Sequence, residues 1–331
     1  MAGAGLDRSI CHHTGALSHP FPPTTVTKPG IPNEYSLSTS CFGTRLATIE
    51  AQVFASIAMG FRRIELGLNE VPVPLAGLED CGRETGVSFN SLVAGCLNPR
   101  SENMSGTKLG SLDAELRERA VLSCRRHIQL ATKYGCPTVI LRGCEIEHPE
   151  LRSRAAKLQT DLEENGPDDV LNEAVQTFVV DTQKQSQAQI EHLCRSIHSL
   201  RQEYPDVRLA VEPGRTFIDL LNFEAMEWVL DDLPRHDLHY WHDTGAVHRR
   251  QRVGLAGQGD WLEKFGSRML GIHLQDALDN EADLPPGMGA VDFKLVSEYT
   301  PGEAEKVVDI GAHHGRSEVL AAVRFLLDRG F

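Results

Sequence analysis

From Tyr35 onward, short apolar runs alternate with stretches in which apolar residues recur every three or four positions. The runs predict eight strands: YSLSTSCF, FRRIELGL, GVSFNSLVAG, TVILRG, RLAVEP, LHYWHD, MLGIHLQD and KVVDIG. The helical period is clearest in Leu46, Ile49, Val53 and Ile57, which run up to Gly60, a favourable residue just past a helix end. It recurs in Val121, Cys124, Ile128 and Ala131, before Gly135. A last helix is expected from an N-cap at Ser317, burying Leu320, Val323 and Leu326 ahead of Gly330. Strands that alternate with helices pair in parallel through right-handed crossovers. Eight such units closing on themselves predict an α/β fold, a (β/α)8 TIM barrel, over residues 35–331. A doubly wound open sheet is the competitor. CFGTRLATIE, after the first strand, lacks the Gly-rich phosphate fingerprint that would argue for it.

Two stretches fall outside this rhythm. Residues 1–34 are rich in Gly, Pro, Ser and Thr without an apolar period and read as an N-terminal tail, in which His12 and His13 are taken as incidental. The unit between the fourth and fifth strands is oversized. Its second part has one apolar helical face, Ile190, Leu193, Cys194, Ile197 and Leu200. Residues of about 146–186, with the acidic run DLEENGPDD, read as an inserted helix and loop over the barrel mouth: a lid, an oligomer contact or a solvated decoration.

The polar residues at strand ends change the picture most. Glu212, Asp243, His273 and Asp309 close four successive strands; Asp243 follows Glu212 by 31 residues, His273 follows after 30 more and Asp309 after 36. One βα unit of such a barrel takes roughly 31 residues, and strand C-termini converge on the mouth where barrel chemistry takes place. Side-chain parity points them inward: Glu212 goes with Ala210, and Asp309 with Val307. Buried carboxylates need a cation or strong hydrogen bonds, and capping a helix or pairing with Arg is the competing reading for any one of them. Four in succession point to one divalent ion, Mn, Mg, Co or Zn, held by three oxygens and an imidazole. Such an ion could polarise a carbonyl and stabilise an enediolate while a carboxylate moves a proton, which gives isomerisation or epimerisation.

Composition narrows the partners. The 331 residues are 41% hydrophobic, enough for a sizeable core, and the net charge of −13 argues against nucleic acid. Eight cysteines without a CxxC pair, no signal-like apolar run and no stretch near the roughly 20 residues of a membrane helix predict a cytoplasmic protein without a membrane partner. The expected partner is a small carbohydrate. Further candidates for contacting it are Glu65, Arg142, Arg215, Trp241 as an apolar wall, His248 and Gln275, each with a structural alternative in packing, capping or internal hydrogen bonding. His313 and His314, just past the eighth strand, are candidate substitute acids or bases.

The pieces VEP at 211–213, HDTG at 242–245, HLQDA at 273–277, LPPGMGAVDF at 284–293 and VVDIG at 307–311, together with RRIELGL, resemble the xylose-isomerase-like TIM barrels. That superfamily holds sugar isomerases and epimerases, inosose dehydratases and endonuclease-IV-type nucleases. The resemblance covers roughly residues 35–331. It implies that Glu212, Asp243 and His273 are metal ligands and that Asp309 stands where a fourth ligand, a glutamate, is usual. It also implies that Glu212 and Asp309 occupy the places of the proton-transfer pair. Departures are visible. Ala246 replaces the histidine of an Asp-x-x-His pattern, with His248 two residues on; Ala282 and Asp283 replace an Asp-His pair; Asp309 is one methylene short. Too few histidines remain for a trinuclear nuclease site. The expected function is a metal-dependent isomerase or epimerase of a sugar, polyol or keto-acid. The alternatives are a dehydratase on the same site, or a barrel whose metal site has decayed and which binds without turnover. Similar barrels form dimers and tetramers, so a homo-oligomer is expected by analogy alone.

Overall fold

The computed structural model describes residues 30–98 and 108–331; His12 and His13 lie outside the described residues. Eight parallel strands close into a barrel: β1 (Tyr35–Ser38), β2 (Arg63–Leu66), β3 (Ser88–Val93), β4 (Thr138–Arg142), β5 (Arg208–Glu212), β6 (His239–Asp243), β7 (Met269–Leu274) and β10 (Glu305–Val308). Each strand pairs with its neighbours in sequence, and β1 pairs with β10 to close the ring. The (β/α)8 architecture expected from the alternation is therefore present. Residues Ile31–Phe331 form one compact unit. No helix among the described residues is long and apolar enough to cross a membrane.

Outward-facing residues such as Leu37, Ile64, Val139, Leu141, Val211, Ile272 and Val308 are buried under the surrounding helices. The interior is filled separately. Leu68, Val93, Ile140, Ala210, Trp241 and Val307 form an apolar plug at mid-height, the packed layering of such barrels. Trp241 is its bulkiest member, and Gly271 on the adjoining strand makes room for it, since a Cβ there would run into the indole ring. Polar residues lie on either side of the plug. Thr138, Arg208 and Glu305 begin β4, β5 and β10, whereas Arg142, Glu212, Asp243 and His273 lie at or near the opposite, C-terminal ends.

Local chemistry shifts several expected boundaries. The first strand stops at Ser38, because Thr39 turns its hydroxyl to the Gly67 amide (2.9 Å) and the chain enters two short 3-10 turns, Thr39–Cys41 and Gly43–Arg45. Helix α1 (Ile49–Met59) therefore begins after Leu46. Thr48 caps it, and Gly60 ends it with φ +110°, a conformation glycine reaches without strain. The seventh strand also ends early. Asp276–Leu278 (β8) leaves the barrel to form an antiparallel hairpin with Glu281–Leu284 (β9). Asp276 anchors this excursion by accepting from the amides of Ala277, Gly287 and Val291 at 2.9–3.0 Å. The last helix spans Arg316–Leu327 and starts after Gly315, not Ser317; it buries Val319, Ala322, Val323 and Leu326, and Leu320 is only half-buried.

In chain order, α2 (Leu78–Thr85) and α3 (Ala114–Lys133) precede the oversized unit, which contains three helices: α4 (Pro149–Asn165), α5 (Asp169–Gln185) and α6 (Gln187–Glu203); α7 (Phe223–Asp232) follows β5. Helices α4 and α5 pack as a pair and flank the mouth instead of covering it. Phe178 stacks edge-on against Phe217 of the loop after β5 (5.8 Å), Arg154 lies over Phe178, and Gln176 donates to the Gly254 carbonyl (2.6 Å). No described residue of the pair lines the central cavity.

Candidate active site at the barrel mouth

Glu212, Asp243 and His273 each present a ligand atom within 4.8 Å of the others, and all three are buried. Strand register produces the convergence. Asp243 and His273 are paired residues on β6 and β7, and Glu212 ends β5 beside Arg142 of β4. His273 Nδ1 lies 2.8 Å from Glu212 Oε2, while Nε2 faces both oxygens of Glu65 at 3.1 Å. Arg142 ion-pairs with the other Glu212 oxygen. Gln275 donates to both Asp243 oxygens at 2.9 Å.

The HDTG motif explains how the chain shapes this corner. His242 points to the helix side. It accepts from Tyr240 Oη and donates to Gln258 Oε1, both at 2.7 Å, and burial depresses its pKa to about 4. It is a neutral structural histidine. Asp243 points inward and caps α8 (Thr244–Gln251) by accepting from the Ala246 amide (2.9 Å). Thr244 bonds the carbonyls of His273 and Gln275, tying the end of β7 to α8. Gly245 leaves space for Gln275, whose side chain would lie 2.9 Å from a Cβ at that position.

Electrostatics mark the cluster as a place for positive charge. Burial pushes the Glu212 carboxyl upward, but Arg142 and then His273 outweigh it and leave it at about 2. Burial and the neighbouring Glu212 charge raise Asp243 to about 6, in spite of His273. Burial disfavours a charged His273, yet Glu65 and Glu212 more than offset this and raise it well above its usual range. Two carboxylates crowded together with an imidazole, in a site where burial and the Glu212 charge disfavour a second bare carboxylate, fit a hard or borderline divalent ion. The donor set suits the group that the sequence resemblance implies.

A cavity of about 310 Å³ opens beside the cluster, lined by His273, Glu65, Arg142, Arg215 and Asp309 among others. Its size is at the lower end for small-molecule sites. Asp309 is half-buried just past β10 and stands apart from the three-residue cluster; Ser40 donates to it, and the Ser38 hydroxyl lies 2.9 Å from Ser40 Oγ. Arg215 ion-pairs with Asp283 at 3.0 Å across the mouth. Burial would lower its pKa, but Asp283, Asp243 and Asp309 raise it. Asp283 itself adopts φ +59°, uncommon for a residue with a side chain. His313 lines the cavity, whereas His314 turns away to Glu318 (2.9 Å).

Three candidates sit outside the cavity lining, one of them Gln275, which is buried with its amide against Asp243. Trp241 is wholly buried in the interior plug, 5.3 Å from the His273 ring, and supports that ring from below the cavity. His248 is half-buried on α8, outside the cavity lining, because two residues beyond Ala246 is over half a turn around the helix. Ser40, Asn69 and Asp283 line the cavity without having been candidates. The alternating serines of YSLSTS were a usable signal for Ser40.

A model of the xylose isomerase-like TIM-barrel family matches residues 56–298. None of the curated proteins matches the chain in sequence. Among solved structures it resembles 3-keto-D-glucoside 4-epimerase YcjR from E. coli: TM-score 0.59, 11% identity, covering 90% of this chain and 100% of that one. It also resembles a D-psicose 3-epimerase from Clostridium cellulolyticum H10 solved with D-tagatose (0.61, 11%, 89% and 99%). A third is a D-allulose 3-epimerase from Methylomonas sp. (0.59, 12%, 91% and 99%). At these identities the likeness is one of fold.

Proposed function

Because the chain belongs to the xylose isomerase-like TIM-barrel family, we propose that it is a divalent-metal-dependent isomerase or epimerase of a small sugar. The observation that carries this reading is the convergence of Glu212, Asp243 and His273 beside a polar cavity of small-molecule size. By their names, the epimerases it resembles act on single sugars, which is consistent with that cavity.

A bound Mn, Mg, Co or Zn ion, held by Glu212, Asp243 and His273, would supply Lewis-acid stabilisation of charge developing on a substrate carbonyl oxygen. The chain supplies the proton transfer. Glu212 is the proposed base. Arg142 keeps it ionised, but also weakens it as a base while the guanidinium rests against it. Arg142 also lines the cavity, so a substrate oxygen that draws it away would raise the proton affinity of Glu212. Asp309, aimed by Ser40, is the partner acid. Arg215 and Asp283 offer a donor and an acceptor for hydroxyls farther out. A second reading, ligand binding without turnover, draws on Asp309 standing apart with Ser40.

The test is elemental analysis of the purified protein beside Asp243→Asn and Asp243→Ala. Asn keeps an acceptor for the α8 cap, whereas Ala loses a cap of about 1 kcal/mol. About one Mn, Co or Zn per chain, lost in both variants, supports the reading, and a panel of sugar isomerase, epimerase and dehydratase assays then identifies the reaction. No metal in the wild type even after loading removes it and leaves the binding barrel.

A further inference from the structure

Glu65 borders the cavity, yet it has no exposed surface and both of its oxygens are engaged. Each lies 3.1 Å from His273 Nε2, across the barrel. Ser91, its register partner on β3, donates to Oε2 at 2.7 Å and holds the carboxylate in place. The other ring nitrogen, Nδ1, faces Glu212, on the side of the three-residue cluster. The two nitrogens thus have different neighbours: a carboxylate fixed by Ser91 on one side, the candidate metal ligands on the other. A neutral imidazole carries one N–H and one lone pair. With carboxylates facing both nitrogens, the ring donates on each side; an ion held beside Glu212 would take the place of the Nδ1 proton, while the acceptor at Nε2 would keep the other. From beneath, Trp241 limits how the ring can tilt.

We propose that Glu65 is a positioning residue that fixes the ring and tautomer of His273, so that Nδ1 is the nitrogen offered to the divalent ion. Glu65 is then neither a ligand nor a substrate contact. This rests on the metal-dependent reading above and goes further by assigning the ligating nitrogen and the residue that selects it. A carboxylate behind a ligating histidine orients the ring and strengthens it as a donor, and its loss typically costs 10- to 100-fold in metal affinity.

The experiment titrates metal-stripped wild type, Glu65→Gln and Glu65→Leu with Mn²⁺ alone, reading free Mn²⁺ by electron paramagnetic resonance. The Leu variant is expected to bind about 10- to 100-fold more weakly. The Gln variant, whose amide oxygen still accepts from Nε2–H, is expected to recover most of that loss. In wild type loaded with Zn²⁺ and labelled with ¹⁵N at histidine, Nε2 should keep its proton and Nδ1 should carry the metal-induced shift. Equal Mn²⁺ affinity in wild type and Glu65→Leu overturns the proposal, as does metal on Nε2. A raised KM with unchanged Mn²⁺ affinity overturns it too, in favour of a substrate contact. Wild type that takes up no Mn²⁺ overturns the metal-dependent reading and this inference with it. The ¹⁵N measurement needs no substitution, so a Leu variant that does not fold still leaves a decisive result.

Discussion

Inside the barrel, Trp241 and Gly271 show how tightly single residues are constrained. Gly271→Ala would drive a methyl group into the indole ring, which is wedged between strands and cannot swing aside. Overpacking of this kind costs typically 1–3 kcal/mol. The expected result is a lowered denaturant midpoint for Gly271→Ala, with wild-type stability recovered at least in part by adding Trp241→Phe; an unchanged midpoint in the single variant would contradict the packing. Legibility at this scale was uneven. Glu212, Asp243 and His273 could be picked out because strand parity and position at a strand end are local properties. The engagement of His273 with Glu65, 208 positions away, could not, because no spacing encodes which residues meet across a closed barrel. For the same reason Trp241 looked like a cavity wall. Parity says that it faces inward, but not at which height.

Among the elements, α8 and the loop after β5 act as one assembly. Arg250, almost wholly buried, donates to the carbonyls of Gly214, Thr216 and Leu221 and to the Asn222 side chain, and so clamps the loop that carries Arg215. Leaving buried carbonyls without donors costs about 1–3 kcal/mol each. Arg250→Met is therefore expected to lower unfolding free energy by at least about 3 kcal/mol, and to make the segment after β5 sensitive to limited proteolysis. Arg250→Lys should rescue little, because an ammonium cannot reproduce the planar fork. A Lys variant as stable as wild type would contradict the clamp. Strands and helices were largely readable from periodicity. The hairpin β8–β9 was not, because its cause is three amides converging on Asp276 from up to 15 residues away. The acidic insertion looked like a cover for the mouth, but its apolar residues, Leu151, Leu158, Leu162, Val175, Phe178 and Val179, call for a packing partner, and the tertiary structure supplies one beside the mouth.

The whole molecule is layered, with charge at both ends of the barrel and hydrocarbon between them. At the end away from the mouth, Glu305 accepts from Arg208 (3.0 Å) and Thr138 (3.3 Å). Burial raises its pKa from 4.5 to about 7, against the opposing pull of Arg208. For a carboxyl raised in the folded state, the stabilising contribution is complete below the unfolded value and is lost as pH rises through the folded one. Wild type should therefore lose stability relative to Glu305→Gln as pH rises from about 4.5 to 7, since Gln cannot ionise. Denaturant midpoints of both proteins across that range check this, and parallel curves would contradict it.

The sequence by itself determined the eight strand–helix units, the inward parity of Glu212, Asp243, His273 and Asp309, and the family likeness. Each of these depends on residue type and short-range spacing, which a chain carries whether folded or not. Only the tertiary structure decided that three of those four side chains cluster while Asp309 pairs with Ser40. It alone showed that Glu65 and Glu212 take opposite nitrogens of one histidine, and that the insertion flanks the mouth. Those outcomes depend on how the ring closes and on the depth each side chain reaches inside it, which come from the packing of all eight strands together.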